Sequence, residues 1–211
     1  MKRIRFQYFS DLHLERRTTL PKIVQKADHL ILAGDIGYLH TELYKEFLTR
    51  MNEQYEHVFV VHGNHEWDPK VQPCSKPFKH LSRVFFLEQQ TFQMRHVVLA
   101  GTTLWTPTVC PTRFKSGLKF LKQTMETHDP VQHLICITHH LPSYQMVVPK
   151  YRLYPNLHRF ANHLDYFFHD PKKSPKAWVC GHSHCVFDKK IGYTRCMINT
   201  FGPTVHTTFE I

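Results

Sequence analysis

Five short stretches of the chain gather metal-competent side chains: Asp11-x-His13, Gly34-Asp35, Gly63-Asn64-His65-Glu66, His139-His140 and Gly181-His182-Ser183-His184. Imidazole, carboxylate and carboxamide without thiolate make a nitrogen and oxygen donor set, which suits Mn, Fe, Zn or Co and disfavours a soft thiolate site. The five pieces carry unequal information. From the composition, Asp-x-His is expected about 0.7 times by chance, Gly-His-x-His about 0.06 times and Gly-Asn-His-Glu about 0.001 times. The two rare motifs carry the weight, and a metal site requires all five stretches to converge.

Each stretch follows a strand-like run. Residues 4–10 alternate apolar with polar positions, and the runs 29–33, 58–61, 134–138 and 177–180 are continuously apolar, as in strands buried on both faces. Further strand-like pieces are 84–87, 97–100, 185–189, 193–198 and 205–211. Helices are expected over 19–26, with Pro21 near the start, and over 42–55, where Leu43, Phe47, Leu48, Met51 and Tyr55 recur at helical spacing. A third is expected over 113–127 despite Gly117, and Phe160, Ala161, Leu164, Phe167 and Phe168 read as one helical face. Residues 68–79, rich in Pro and Lys, read as a loop. Alternation of strand and helix predicts an α/β fold with parallel strands. Ligands in such sheets bind beyond the carboxyl ends of the strands, where all five stretches would meet.

At 211 residues, one domain over 1–211 with a sizeable core is expected. Hydrophobic residues at 42% and charged residues at 21% exclude a disordered chain. Apolar runs such as Val58-Phe59-Val60-Val61 are far short of the roughly 18 residues of a membrane span, so no membrane partner is expected. Met1-Lys2-Arg3-Ile4-Arg5 has the positive start of a signal peptide, but Gln7, Ser10, Asp11 and His13 interrupt any apolar segment after it. The cysteines at 74, 110, 136, 180, 185 and 196 are scattered and read as reduced thiols, which predicts a cytoplasmic, reducing location. The net charge of +10, from 27 Lys and Arg against 17 Asp and Glu, raises nucleic-acid binding. The chain lacks an RNP-type run and zinc-finger cysteine spacing, so recognition alone is poorly supported. Lys172, Lys173, Lys176, Lys189 and Lys190 flank the last motif as a basic rim attractive to polyanions.

In their order, the five motifs resemble the calcineurin-like metallophosphoesterases. The small members without a cap domain are most similar, sharing Ser10-Asp11-Leu12-His13-Leu14-Glu15, Leu32-Ala33-Gly34-Asp35-Ile36-Gly37, Leu104-Trp105-Thr106, Thr138-His139-His140 and Asn199-x-x-Gly202. The resemblance covers almost the whole chain. It implies a four-layer α-β-β-α sandwich and two divalent ions, Mn first, with Fe, Zn or Co as alternatives. Asp11, His13, Asp35 and His184 would hold one ion, and Asp35, Asn64, His139 and His182 the other, with Asp35 shared. Two such ions polarise the phosphoryl oxygens, and a bridging hydroxide attacks phosphorus in line.

His65 stands beside Asn64 without being a ligand in the family pattern, which assigns it as general acid to the leaving oxygen. Glu66 is expected to accept a hydrogen bond from that imidazole. His140, Arg16 and Arg17 are candidate substrate contacts. Two positions depart from the pattern: Tyr38 stands where many members have Asp or Asn, and Thr200 where relatives often have Pro. The expected activity is hydrolysis of phosphate mono- or diesters, nucleotides among the substrates. The alternatives are a scaffold of the same fold without turnover, and a metal-dependent nuclease acting on nucleic acid. Completeness of the ligand set together with His65 favours catalysis.

Overall fold

The computed structural model describes residues 3–67, 76–201 and 207–211. Its elements, in chain order, are β1 (Arg5–Phe9), β2 (His29–Ala33), α1 (Glu42–Gln54), β3 (His57–Val61), β4 (Val84–Phe86), β5 (Gln90–Met94), β6 (Val97–Thr102), α2 (Pro111–Thr127), β7 (His133–Thr138), β8 (Ala177–Cys180), β9 (Val186–Ile191), β10 (Thr194–Asn199) and β11 (Thr208–Glu210). One sheet has the order β11-β1-β2-β3-β4, parallel except for β11. The other has the order β5-β6-β7-β8-β10-β9, with antiparallel edges at β5 and β9 around four parallel strands.

Alternation of side chains sorts these strands into layers. All of β2 is buried. Leu30 and Leu32 pack with Tyr44, Phe47, Leu48 and Met51 of α1. Ile31, Ala33 and Phe59 face the second sheet and share a cluster with its Leu99, Ile135, Ile137 and Val179. On the far side, Leu134, Cys136, Trp178 and Cys180 share a cluster with Leu121 and Met125 of α2. The result is a single-domain α-β-β-α sandwich. Burying one such aliphatic or aromatic side chain is worth about 1.5–3 kcal/mol, so two-sided burial anchors the strands whose carboxyl ends carry the motifs.

Both long helices follow from local signals. Thr41 caps α1 by accepting the Tyr44 amide at 3.3 Å. Pro111 opens α2, where its missing N–H costs no helical hydrogen bond. Gly117 belongs inside α2 because a Cβ there would stand 3.0 Å from Thr102 Oγ1, at the end of β6. The glycine weakens helix propensity but lets the helix approach the sheet.

Three expectations need correction. Residues 19–26 form no helix. Thr18 and Thr19 are β-branched, and Gln7 satisfies this segment's backbone from the side, donating to Val24 O at 3.1 Å and accepting from Lys26 N at 2.8 Å. The first crossover is therefore irregular. The Phe160–Phe168 face is also not helical: 3₁₀ turns at Leu157–Arg159 and Asp165–Phe168 flank extended residues that bridge to Leu141 and Ser143. The Asn162 side chain donates to Leu141 O at 3.2 Å, and Asp165 accepts from Ser143 Oγ at 2.6 Å, which favours this path. Ala161, Leu164, Phe167 and Phe168 are nevertheless buried as expected. Finally, the edge strand β5 was not foreseen, because only Phe92 and Met94 mark its apolar alternation. Cys74, Gly202 and His206 lie outside the described residues.

Candidate metal centre

The loops after β1, β2, β3, β7 and β8 meet at one end of the sandwich, and they bring the motif residues together. Asp11, His13 and His184 each offer a ligand atom, all within 4.8 Å of one another. Asp35, His139 and His182 form a second such group. His13 Nε2 stands 3.3 Å from His184 Nε2, and His184 Nε2 stands 3.6 Å from Asp11 Oδ1. In the other group His139 Nε2 lies 3.3 Å from Asp35 Oδ2 and 3.2 Å from Asn64 Oδ1. Asp35 Oδ2 is also 4.0 Å from His13 Nε2, so one carboxylate oxygen faces both groups.

The backbone is strained to achieve this. Asp11, His13, Asp35, His182 and His184 all have left-handed φ, between 47° and 66°. A non-glycine residue held there costs about 1–3 kcal/mol, and such strain collects at functional sites. At Gly34, φ is 85° and a Cβ would stand 2.5 Å from His139 Nδ1 and 2.7 Å from Gly63 N. Only glycine permits these three loops to close on one another.

Orientation is fixed by partners behind the donors. His139 Nδ1 donates to Ala33 O at 2.9 Å, which fixes the ring and turns Nε2 toward Asp35 and Asn64. His13 Nδ1 is 2.9 Å from Glu15 Oε1. Asp11 accepts from Ser10 Oγ and from the His182 amide, the latter at 3.0 Å. Asp35 Oδ1 accepts the His65 amide at 2.8 Å.

Glu66 differs from its expected role. Rather than taking the His65 imidazole, it accepts backbone N–H groups of Asp35 (2.9 Å), Ile36 (2.7 Å), Gly37 (3.3 Å) and Gly63 (2.7 Å). Its buried carboxylate ties the β2 and β3 loops together. Glu15 meets His65 instead, with Oε1 2.9 Å from Nδ1. Glu15 lies in the first motif, Ser10-Asp11-Leu12-His13-Leu14-Glu15, where sequence alone assigns it no role.

Charged groups at the centre hold one another in place, and a bound cation would have to displace the proton that Asp35 holds on His139. Burial works against ionised Asp35, yet His139 and His65 beside it hold its carboxyl far below the usual range. Burial also works against a charge on His139, and Asp35 outweighs it, raising the imidazole to about 9. Burial, with His140 and His139 nearby, pushes His182 well down. Glu15 is lowered to about 2, burial being outweighed by its bonds to His13 and His65. Glu66 is raised, burial and the Asp35 charge outweighing His139 and the Gly63 and Ile36 amides.

Two donors each about 2.0–2.1 Å from one ion at a tetrahedral angle stand about 3.3 Å apart, the separation seen for His13 and His184. The donor set, its spacing and the shared Asp35 oxygen therefore fit divalent ions.

The remaining candidates divide. His140 is buried between Trp105 and His182, at ring-centroid distances of 5.3 and 4.3 Å, and burial with His139 lowers it to about 3. Arg16 is exposed, with Nε 3.8 Å from Glu15 Oε1. Arg17 is engaged elsewhere: Nε donates to Leu12 O at 2.9 Å and the guanidinium covers Phe201. Tyr38 stacks over His65 at 6.2 Å. Cys185 stands outside both donor groups, with Sγ 3.0 Å from Ser183 Oγ. A recess beside Asn64, His140 and His182 is also lined by Tyr154, Asn156, Arg159 and Phe160. Sequence reasoning missed Tyr154, Asn156 and Arg159, which lie in an irregular segment with no motif to mark them.

The family model for calcineurin-like phosphoesterases matches residues 4–186. No curated protein matches the chain in sequence. Among solved structures, phosphopantetheinyl hydrolase (PptH) from Mycobacterium tuberculosis is similar, with 17% identity and a TM-score of 0.67 over 93% of this chain and 89% of that one. A putative 5'-nucleotidase from Staphylococcus aureus has 16% identity and a TM-score of 0.60 over 99% of this chain, which spans 50% of that protein. GAP50, the anchor in the inner membrane complex of Plasmodium, has 10% identity and a TM-score of 0.52 over 93% of this chain and 71% of that one. At these identities the likeness shows a shared fold.

Proposed function

Because the chain belongs to the calcineurin-like phosphoesterase family and is thus a metal-dependent phosphoester hydrolase, we propose that its centre is binuclear and cleaves phosphate mono- or diesters with His65 as general acid. The observation that carries this reading is Asp35 Oδ2, 3.3 Å from His139 Nε2 and 4.0 Å from His13 Nε2. Asp11, His13, Asp35 and His184 hold one ion, and Asp35, Asn64, His139 and His182 the other, with Mn the first choice. Two bound divalent ions supply Lewis acidity toward phosphoryl oxygens and a nucleophile deprotonated near neutral pH.

The chain's own residues do the rest. His65 carries the proton for the leaving oxygen: Glu15 raises its basicity against the opposing effect of burial, and Asp35 adds to it. Its side chain is 23% exposed, enough to meet an ester at the surface of the centre. Arg159 and Asn156, beside Asn64 and His182, offer contacts to phosphate oxygens. Arg16 is a second cation at the rim. The buried, unpaired thiols Cys136, Cys180 and Cys196 support a reducing compartment.

Turnover of a chromogenic monoester and a chromogenic diester after reconstitution with Mn tests the reading. Turnover that disappears in Asp35→Asn is expected. Absence of turnover on either ester, with less than about one metal per chain, would overturn it.

A further inference from the structure

We propose that the organic arm of the substrate is a flat aromatic or heterocyclic ring, held in an apolar recess against the metal centre. The inference rests on reading the centre as a phosphoester hydrolase and narrows its substrate class. The recess encloses about 260 Å³ and is lined by Val147, Tyr151, Tyr154, Leu157 and Phe160. Its remaining wall is His182, Ser183 and His184, the loop that supplies a ligand to each ion. An ester whose phosphate engages that centre therefore has its organic arm within reach of the recess.

Three observations point to a ring. Tyr151 and Tyr154 are 37% and 56% exposed, so they keep aromatic surface toward solvent instead of the core. Phe160 lies 4.8 Å from His182 at 33°, and His182 lies 4.3 Å from His140 at 40°, so the wall between recess and centre is already a series of flat, inclined rings. A further ring extends that series in a tilted or offset arrangement. The volume is near the low end for small-molecule sites, which matches a ring and a short linker.

Other arms fit this surface poorly. A polyol phosphate would set hydroxyls against Val147, Leu157 and Phe160, with polar partners only at the Tyr151, Tyr154, Ser183 and His184 side of the recess, and an extended peptide would do the same with its amides. Polar groups are available on the other side of Tyr154 and Phe160, where Asn156 and Arg159 line the adjoining recess. The two recesses divide the ester: ring on the apolar side, anionic and hydroxyl groups on the Arg159 side.

Affinity for non-hydrolysable phosphonates tests this without turnover. In Mn-loaded protein, calorimetry is expected to show phenylphosphonate and benzylphosphonate binding at least about tenfold more tightly than methylphosphonate. In Tyr151→Ala with Leu157→Ala, and separately in Tyr154→Ala, the ratio falls toward one while metal content and circular dichroism are retained. Equal affinities in the wild type, a preference that survives both variants, or no phosphonate binding to the metal-loaded protein would overturn the proposal. Cyclohexylphosphonate binding as tightly as phenylphosphonate would overturn the aromatic assignment. A preserved ring preference in a protein that hydrolyses no ester would instead defeat the catalytic reading and leave the recess standing.

Discussion

Glu15 presents Oε1 2.9 Å from Nδ1 of His65. The same oxygen is 2.9 Å from Nδ1 of His13 and hydrogen-bonded to it, so one carboxylate, lowered to about 2 by these two histidines against its burial, orients His13, a proposed metal ligand, and stands as a counter-charge beside His65, the proposed proton donor. Glu15→Gln is expected to lower kcat about 10- to 100-fold and to weaken metal binding by a similar factor. Steady-state kinetics and metal titration check this; a variant with wild-type kcat would remove Glu15 from the account.

His65→Ala should separate leaving groups. A general acid contributes about 10²–10⁴-fold where the leaving oxygen needs a proton. The variant is expected to lose activity on an alkyl ester in that range, and much less on a nitrophenyl ester, whose leaving group departs as an anion. Equal losses on the two esters would contradict the assignment.

Glu66 has a structural signature instead. With four amides aimed at a carboxylate only 2% exposed, Glu66→Ala leaves buried N–H groups without acceptors and should cost about 3 kcal/mol of stability. Glu66→Gln, which keeps one carbonyl acceptor, should cost less. Urea unfolding measures both, and an unchanged midpoint in Glu66→Ala would show that the loops do not depend on it.

A pH effect is expected far from the centre, at the opposite ends of the same strands. His29 and His57 are register partners in β2 and β3, their Nδ1 atoms 3.3 Å apart. Burial lowers both, and for His29 the neighbouring His57 adds to it, against the opposing charge of Glu56. A histidine whose folded value lies below its unfolded value of about 6.5 binds its proton more weakly when folded. Stability should therefore be full above about pH 6.5 and decline as pH falls toward the folded values. Replacing both with Gln should reduce the slope of the urea midpoint against pH in that window, leaving the share of His62, His140 and His182, which burial also lowers, and an unchanged slope would contradict the burial argument.

The proposed ligands were legible because each follows a strand that reads plainly. Gly34-Asp35 follows five buried residues, and Gly181-His182-Ser183-His184 follows four. Parallel pairing then carries them to one edge, so order along the chain became proximity in space. The partner of His65 was not legible: Glu66 is its neighbour in sequence, but the turn after β3 sends the two side chains apart, one to the β2 amides and the other to Glu15. Arg159 was hidden for another reason. Its segment reads as a helix from Phe160, Leu164 and Phe168, yet Asn162 and Asp165 hold it extended across residues 141–143. Burial there followed hydrophobicity, whereas backbone path followed two polar side chains.

The most direct test of the central claim is the metal stoichiometry of purified protein reconstituted with Mn, measured together with single-cluster variants. The proposed sharing of Asp35, whose Oδ2 is 3.3 Å from His139 Nε2 and 4.0 Å from His13 Nε2, predicts two ions per chain in the wild type, about one in His184→Ala and in His182→Ala, and weakened binding of both in Asp35→Asn. A single ion per chain in the wild type, or an Asp35→Asn variant that still holds two as tightly, would contradict it.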